Sequence, residues 1–181
     1  LIIHNNIRGG NVNGIDIVGT SNVNINNVLV STADDGIVLK NPTSVPMSNI
    51  KIRNSRISTT ANGFKIMTET YSDINDVSFT DSEIITTEFF PGAISGVAIE
   101  SVDGSHVSNI KVDNIMMNGV LGPLFIRLGN RNKYDTKDLM SRIDNIRISN
   151  IYCYNCQLPS IISGVMDKDS ELTITLSLIH I

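Results

Sequence analysis

The chain has no Trp, only four Ala and only two Cys among its 181 residues, and no apolar run long enough to cross a bilayer as a helix. Scarce alanine argues against a helical bundle, because Ala leads the helix formers. Cys153 and Cys156 form a lone C-x-x-C pair with no nearby His, too few ligands for a structural zinc site, so no metal or other cofactor is expected. The pair reads as two small residues in a strand-to-turn segment; a short disulfide and a redox couple are the alternatives. An excess of basic charge is also missing. The formal net charge is −4, which gives no electrostatic reason to expect nucleic acid as a partner. The sequence opens in mid-pattern at Leu1, without Met, and reads as part of a longer chain; the want of a leader therefore says nothing about location.

Isoleucine and asparagine are what the chain has in plenty, 28 and 21 residues respectively. Ile favours strands and Asn favours turns. The two are ordered in a nine-residue pattern with starts at Asn22, Asn49, Asp76, Asn109 and Asn145, spaced 27, 27, 33 and 36 residues apart. Asn49-Ile-Lys-Ile-Arg-Asn54-Ser-Arg-Ile57 is representative. A second pattern, Gly-apolar-x-apolar, interleaves at Gly14, Gly36, Gly63 and Gly96, with a fifth copy near Pro123. From Gly36, Gly63 and Gly96 to the next nine-residue motif the distance is 13 residues each time.

Both patterns alternate with period two, the mark of a strand with one buried face. Short strands separated by Asn and Gly turns predict an all-β solenoid, a right-handed parallel β-helix of about five to six coils. A leucine-rich repeat would need a Leu-dominated consensus and a helical segment, and neither is present. The longer spacings place loops around Thr86–Ala93 and Asn130–Ser141. A sixth nine-residue copy is expected to start at Glu171. The partial β-helix is assigned to residues 1–175, and residues 176–181 (Leu-Ser-Leu-Ile-His-Ile) resemble translated sequencing adapter and are read as an artefact.

Stacking the Gly-started strands puts Ile15/Ile17, Ile37/Leu39, Phe64/Ile66, Val97/Ile99 and Leu124/Ile126 inward. Outward on the same sheet lie Asp16, Lys40, Lys65, Glu100 and Arg127, with Asn13, Asp35 and Asn62 just before the glycines and Asp34 adjoining. Glu69 and Asp103 follow their strands. Groups two coils apart are separated by about 9–10 Å, close to the roughly 6.5–9.5 Å carboxylate separation of inverting glycosidases. Asp34 or Asp35 facing Glu100 would meet it. From the residues alone, an Asx turn closing a coil at Asp34-Asp35 and a catalytic pair are equally good readings. His4 and His106 are read as isolated surface residues.

These motifs resemble glycoside hydrolase family 28, the polygalacturonase and rhamnogalacturonan-hydrolase family. Asn11-Val12-Asn13-Gly14 is similar to its Asn-Thr-Asp-Gly motif and Asp34-Asp35 to its Asp-Asp motif. Gly63-Phe-Lys-Ile-Met-Thr-Glu-Thr70, Ala98-Ile-Glu-Ser-Val-Asp-Gly104 and Pro123-Leu-Phe-Ile-Arg-Leu-Gly-Asn-Arg131 look like a bacterial branch. The resemblance implies a right-handed parallel β-helix that cleaves pectic polysaccharide with inversion, a monomer located in the periplasm or outside the cell, with no membrane partner. It implies Asp34 as general acid and Asp35 as main base. The chain departs from the family pattern at three places: Asn13 replaces an aspartate, Asn62 a histidine, and Ala98-Ile99-Glu100 an Arg-Ile-Lys motif. Glu100 is the candidate for the function lost at Asn13. Lys65 and Arg127 are assigned to substrate carboxylates, with ion pairs to Glu69 and Glu100 as their structural alternative. Asn13, Asp16, Lys40, Asn62 and Glu69 complete the expected substrate-binding set. A non-catalytic carbohydrate-binding β-helix and, after it, a polysaccharide lyase are the competing functions.

Overall fold

The repeat spacing becomes a coil because one Asn or Asp at each of two fixed places turns the chain. Asn22, Asn49, Asp76, Asn109 and Asn145, and five residues on Asn27, Asn54, Asp81, Asn114 and Asn150, all hold φ between 49° and 60°. This left-handed region costs most side chains about 1–2 kcal/mol, and Asn and Asp bear it best after glycine. The sequence places these columns at turns between strands. In the structure each turn centres on a single left-handed residue, and in the later coils the strand runs on through the bend.

The computed structural model describes residues 1–5, 10–86, 93–131, 133, 140–165 and 172–180. It is an all-β, right-handed parallel β-helix. After β1 (Ile2–His4), one coil holds β2 (Ile15–Val18), β3 (Val23–Asn26) and β4 (Leu29–Ser31). The next holds β5 (Ile37–Lys40), β6 (Met47–Arg53) and β7 (Arg56–Thr59). Beyond these the second and third strands of each coil merge. β8 (Asn62–Ile66) leads to β9 (Ile74–Thr86), and β10 (Ser95–Ser101) to β11 (His106–Asn118). β12 (Gly122–Leu128) leads to β13 (Arg142–Tyr154), and β14 (Ile161–Ser163) to β15 (Leu172–His180). The first strands form a six-stranded sheet, β14-β12-β10-β8-β5-β2; the remainder form a nine-stranded one. The expected loops fall largely on residues 87–92, 132 and 134–139, outside the described residues.

The register confirms the stacking read from the glycines. Ile15, Ile37, Phe64, Val97 and Leu124 lie side by side on successive coils, as do Ile17, Leu39, Ile66, Ile99 and Ile126. They face Ile50, Val77, Ile110 and Ile146 of the second sheet in one continuous core. Phe64 and Phe79 meet across it with ring centroids 4.9 Å apart. The glycine column follows from how closely the coils stack. A Cβ on Gly36 would lie 2.5 Å from the Gly63 carbonyl oxygen, and one on Gly63 2.7 Å from that of Gly96.

Three expectations need correcting. The sixth repeat is displaced: Ile174, not Leu172, pairs with Ile146, two residues from the expected register, and a β-bulge between Ile143 and Ile146 shifts the pairing by one residue within the strand. Cys153 and Cys156 are joined as a disulfide, with Cα atoms 6.0 Å apart, across the corner after β13. His106 is half-buried and hydrogen-bonded to Asp144 rather than isolated.

The corner geometry predicts an ordering of variants at Asn54 (φ 50°), whose side-chain amide donates to Asn26 Oδ1 at 2.8 Å. Asn54→Gly loses the hydrogen bond alone, whereas Asn54→Ala also takes on the left-handed strain. Chemical denaturation should show the Ala variant less stable than the Gly variant by roughly 1 kcal/mol. Equal or reversed stabilities would mean that the corner carries no such strain.

Candidate active site

The residue before each glycine of the first sheet repeats on every coil, giving the column Asn13, Asp35, Asn62, Ser95. Backbone bonds hold it in line: Gly14 N–H donates to the Asp35 carbonyl at 2.9 Å and Gly36 N–H to the Asn62 carbonyl at 2.7 Å. Side chains then link the coils. Ser95 Oγ donates to Asn62 Oδ1 at 2.5 Å, while Asn62 Nδ2 (2.6 Å) and the Asn62 backbone N–H (3.1 Å) both donate to Asp35 Oδ1. Lys65 Nζ donates to the other oxygen, Oδ2, at 3.0 Å. Asp35 is therefore buried with both oxygens clasped, and one lone pair of Oδ2 has no partner among the described residues. The Asp34-Asp35 turn itself is fixed from the next coil, where the Thr60 and Thr59 hydroxyls donate to the Ala33 and Asp34 carbonyls.

Asp34 is only partly buried, yet its carboxyl is raised above the ordinary aspartate range. Burial is the main cause and the adjoining Asp35 charge the second, while Lys65 opposes them. Two neighbouring carboxylates thus sit in unequal surroundings, the condition under which one serves as acid and the other as base. Glu100, at an alternation position expected to face outward, is 7% exposed, and burial raises its carboxyl against the opposing charges of Lys65 and Arg127. Period two correctly gave the side of the sheet but not the depth of that side. Val38 and Ala98 also lie buried on this outer face, between the longer Asp16, Lys65 and Phe125 of neighbouring coils.

The predicted residues fall into three groups. Asp34, Asp35, Asn62, Lys65, Glu100 and Arg127 come together, with Arg127 exposed and in register with Glu100. One coil away, Asp16 takes up Lys40 in an ion pair of 2.6 Å and accepts a 2.9 Å hydrogen bond from Asn13 Nδ2. Asn13 Oδ1 is buried without a partner among the described residues. Glu69 lies apart, bonded to Lys133, which holds its carboxyl below the usual range. The alternative partners considered for Lys65 are thus corrected, since it pairs with Asp35 and not with Glu69 or Glu100.

Two features were missed in the sequence. Ser95 continues the column before glycine and could have been found by extending it one coil. Asp103 is fully buried and gripped by Arg131 through Nε at 3.0 Å and through Nη2, which also reaches the Thr68 carbonyl at 3.3 Å. That clamp ties the segment after β12 to the ends of β8 and β10. A larger groove of about 900 Å³ runs along the second sheet, past Arg56, Asp81 and Glu83. There Glu83 pairs with Arg56 at 3.4 Å, and hydrogen bonds from Asn114 and Thr80 lower the Asp81 carboxyl, so its acids are not placed for proton donation.

A family profile for glycosyl hydrolases family 28 matches residues 1–165, and the chain belongs to that family. Its general activity is glycoside hydrolysis of pectic polysaccharide. Comparison with curated proteins and comparison with solved structures each give no match.

The raised Glu100 carboxyl fixes the sign of a pH effect. A carboxyl whose folded-state value lies above its unfolded value stabilises the fold relative to its ionised form only at low pH, and this is lost as pH rises through the folded value. Glu100→Gln should therefore raise Tm at pH 7 and leave it unchanged at a pH below the ordinary glutamate value. A lower Tm at pH 7 would mean that Lys65 and Arg127 outweigh burial.

Proposed function

We propose that the chain is an inverting glycoside hydrolase of galacturonan-type pectic polysaccharide or its oligosaccharides. The observation that carries this reading is the adjacent Asp34 and Asp35, one carboxyl pushed up by burial and the other clasped by Lys65 and Asn62. In the reaction, Asp34 gives its proton to the glycosidic oxygen as the bond from that oxygen to the anomeric carbon breaks. Water attacks the carbon from the opposite face, and its proton passes to the open lone pair of Asp35. The product is a sugar with inverted anomeric configuration, and solvent exchanges the two protons back. Lys65 and Arg127 supply positive charge for an acidic sugar despite the negative net charge of the chain. Glu100 is expected from the sequence to replace the carboxylate absent at Asn13. Its burial favours a neutral carboxyl, and we assign it instead to contact with the sugar. Export to the periplasm or beyond accords with the Cys153–Cys156 disulfide, since such bonds persist in oxidising compartments.

Asp34→Asn should lower reducing-sugar release from pectic substrate by on the order of 10²–10⁴-fold, the usual contribution of a positioned acid. Proton NMR of the first product formed by the wild type should show the inverted anomer. Unchanged release in the variant would remove Asp34 from the mechanism. Binding of oligosaccharide without any release by the wild type would identify a carbohydrate-binding relative.

A further inference from the structure

The second sheet carries a charge pattern for which the cleft has no use. Ile50, Ile52, Ile110, Val112, Ile146 and Ile148 point into the core, so the residues that alternate with them point outward. Strand register sets Asn24, Lys51, Ser78, Lys111 and Arg147 in one outward column along the helix axis. Arg53 stands beside Lys51 in the adjoining column, which continues through Thr80, Asp113 and Ser149. Lys51, Arg53, Lys111 and Arg147 are all exposed. Lys51 and Lys111 lie two coils apart, about 9–10 Å, and Arg147 is one coil further on.

Two observations set this face apart from an ordinary solvated one. Among the described residues, the Lys and Arg side chains that make no ion pair are Arg127 at the cleft and Lys51, Arg53 and Arg147 here; the others are each held by an Asp or Glu. The one carboxylate in the two columns, Asp113, is already engaged by Lys111 at 3.1 Å and by Ser149 Oγ and Asn150 Nδ2, both at 2.8 Å. Secondly, a recess of about 420 Å³ lies between Lys111 and Arg147, where Asn109, Asn145 and Ser149 add amides and a hydroxyl. The remaining side chains of both columns are amides and hydroxyls, with nothing apolar for a lipid surface and no ring on which a base could stack.

We propose that the outer face of the second sheet is a non-catalytic attachment surface for an acidic polysaccharide, separate from the cleft on the first sheet. Carboxylates along an extended uronate chain pair with Lys51, Arg53 and Arg147, and the hydroxyl groups between them meet Ser78 and Thr80. The identity of the polymer rests on the pectic-hydrolase reading, whereas the surface rests on the arrangement of charge. Such a face raises the local concentration of long substrate at the cleft without touching the reacting bond, so short oligosaccharides gain nothing from it.

The test is a variant carrying Lys51→Gln, Arg53→Gln and Arg147→Gln together, all at exposed positions outside the cleft. Affinity electrophoresis through polygalacturonate at low salt, corrected for mobility without polymer, should show binding about tenfold weaker than that of the wild type. That is three exposed ion pairs, each supplying a factor of about two. The KM for polygalacturonate should rise with it, while kcat and KM on short galacturonan oligosaccharides stay at wild-type values. Equal retention of variant and wild type overturns the surface, and cleavage of the oligosaccharides then leaves the hydrolase reading standing. A KM raised equally on polymer and oligosaccharide places the effect in the cleft and also overturns it. So does wild-type binding to duplex DNA or to anionic lipid vesicles as tight as to polygalacturonate. Retention that is weakened in the variant, with no cleavage of either substrate by the wild type, upholds the surface and overturns the hydrolase reading.

Discussion

The spacing of hydrogen-bonded parallel strands, roughly 4.8 Å, governs this molecule. Every side chain lies directly above its equivalent on the previous coil, so each column must be made of residues that tolerate their own kind at that distance. Ile, Val and Phe do so in the core, where stacking them excludes water from one continuous interior. Asn does so at the corners, because an amide both donates and accepts. Asn49 bonds Asn22, Asn114 bonds Asp81, and Asn155 bonds Asn118. Glycine does so at the one place where the next backbone leaves no room for a Cβ. Like charges do not, and this shapes the candidate active site more than any other constraint.

The column Asn13, Asp35, Asn62, Ser95 shows the effect. A single carboxylate stands in it, flanked by groups that donate to it or keep its donors in place. Its neutraliser, Lys65, comes from a different position on the next coil, two residues along the strand beyond the glycine. The other cations are divided in the same way. Lys40 is taken by Asp16, Lys133 by Glu69 and Arg131 by Asp103, while Arg127 is left at the exposed edge beside Glu100. An acidic chain can thus present local positive charge, because the carboxylates of Asp16, Asp35, Glu69 and Asp103 are already paired with cations of other coils.

Much of this was legible in the residues. Constant spacing from Gly36, Gly63 and Gly96 to the next motif fixed the register of two sheets, since a slip of one residue would expose the whole Ile face. The column before glycine was visible too, and with it Asn13, Asp35 and Asn62. What escaped depends on information that periodicity does not carry. Alternation places Glu100 outward but cannot say that its neighbours are longer and cover it. The Asp103–Arg131 clamp joins positions 28 residues apart in segments with no repeat, and pairing there is set by where the loops fold back. The bulge between Ile143 and Ile146 leaves the hydrophobic pattern of β13 intact, and the two-residue displacement of β15 from the expected register has no signal in the repeat of either strand.

The amide at position 13 has consequences for how Asp34, the acid of the proposed mechanism, is made. An aspartate there would add its charge to the like-charge pressure on Asp34. In this chain that pressure comes from Asp35 and, more weakly, Asp16, and burial exceeds both. Asn13 instead donates to Asp16, which is also paired with Lys40, so the nearest remaining carboxylate beyond Asp35 is partly neutralised. Asp34 therefore depends on desolvation rather than on a trio of charges. Such an acid is sensitive to whatever displaces water from the cleft, and a sugar seated there would do so. Substrate binding would then deepen the burial that keeps the Asp34 proton in place, coupling occupancy of the cleft to the readiness of the acid.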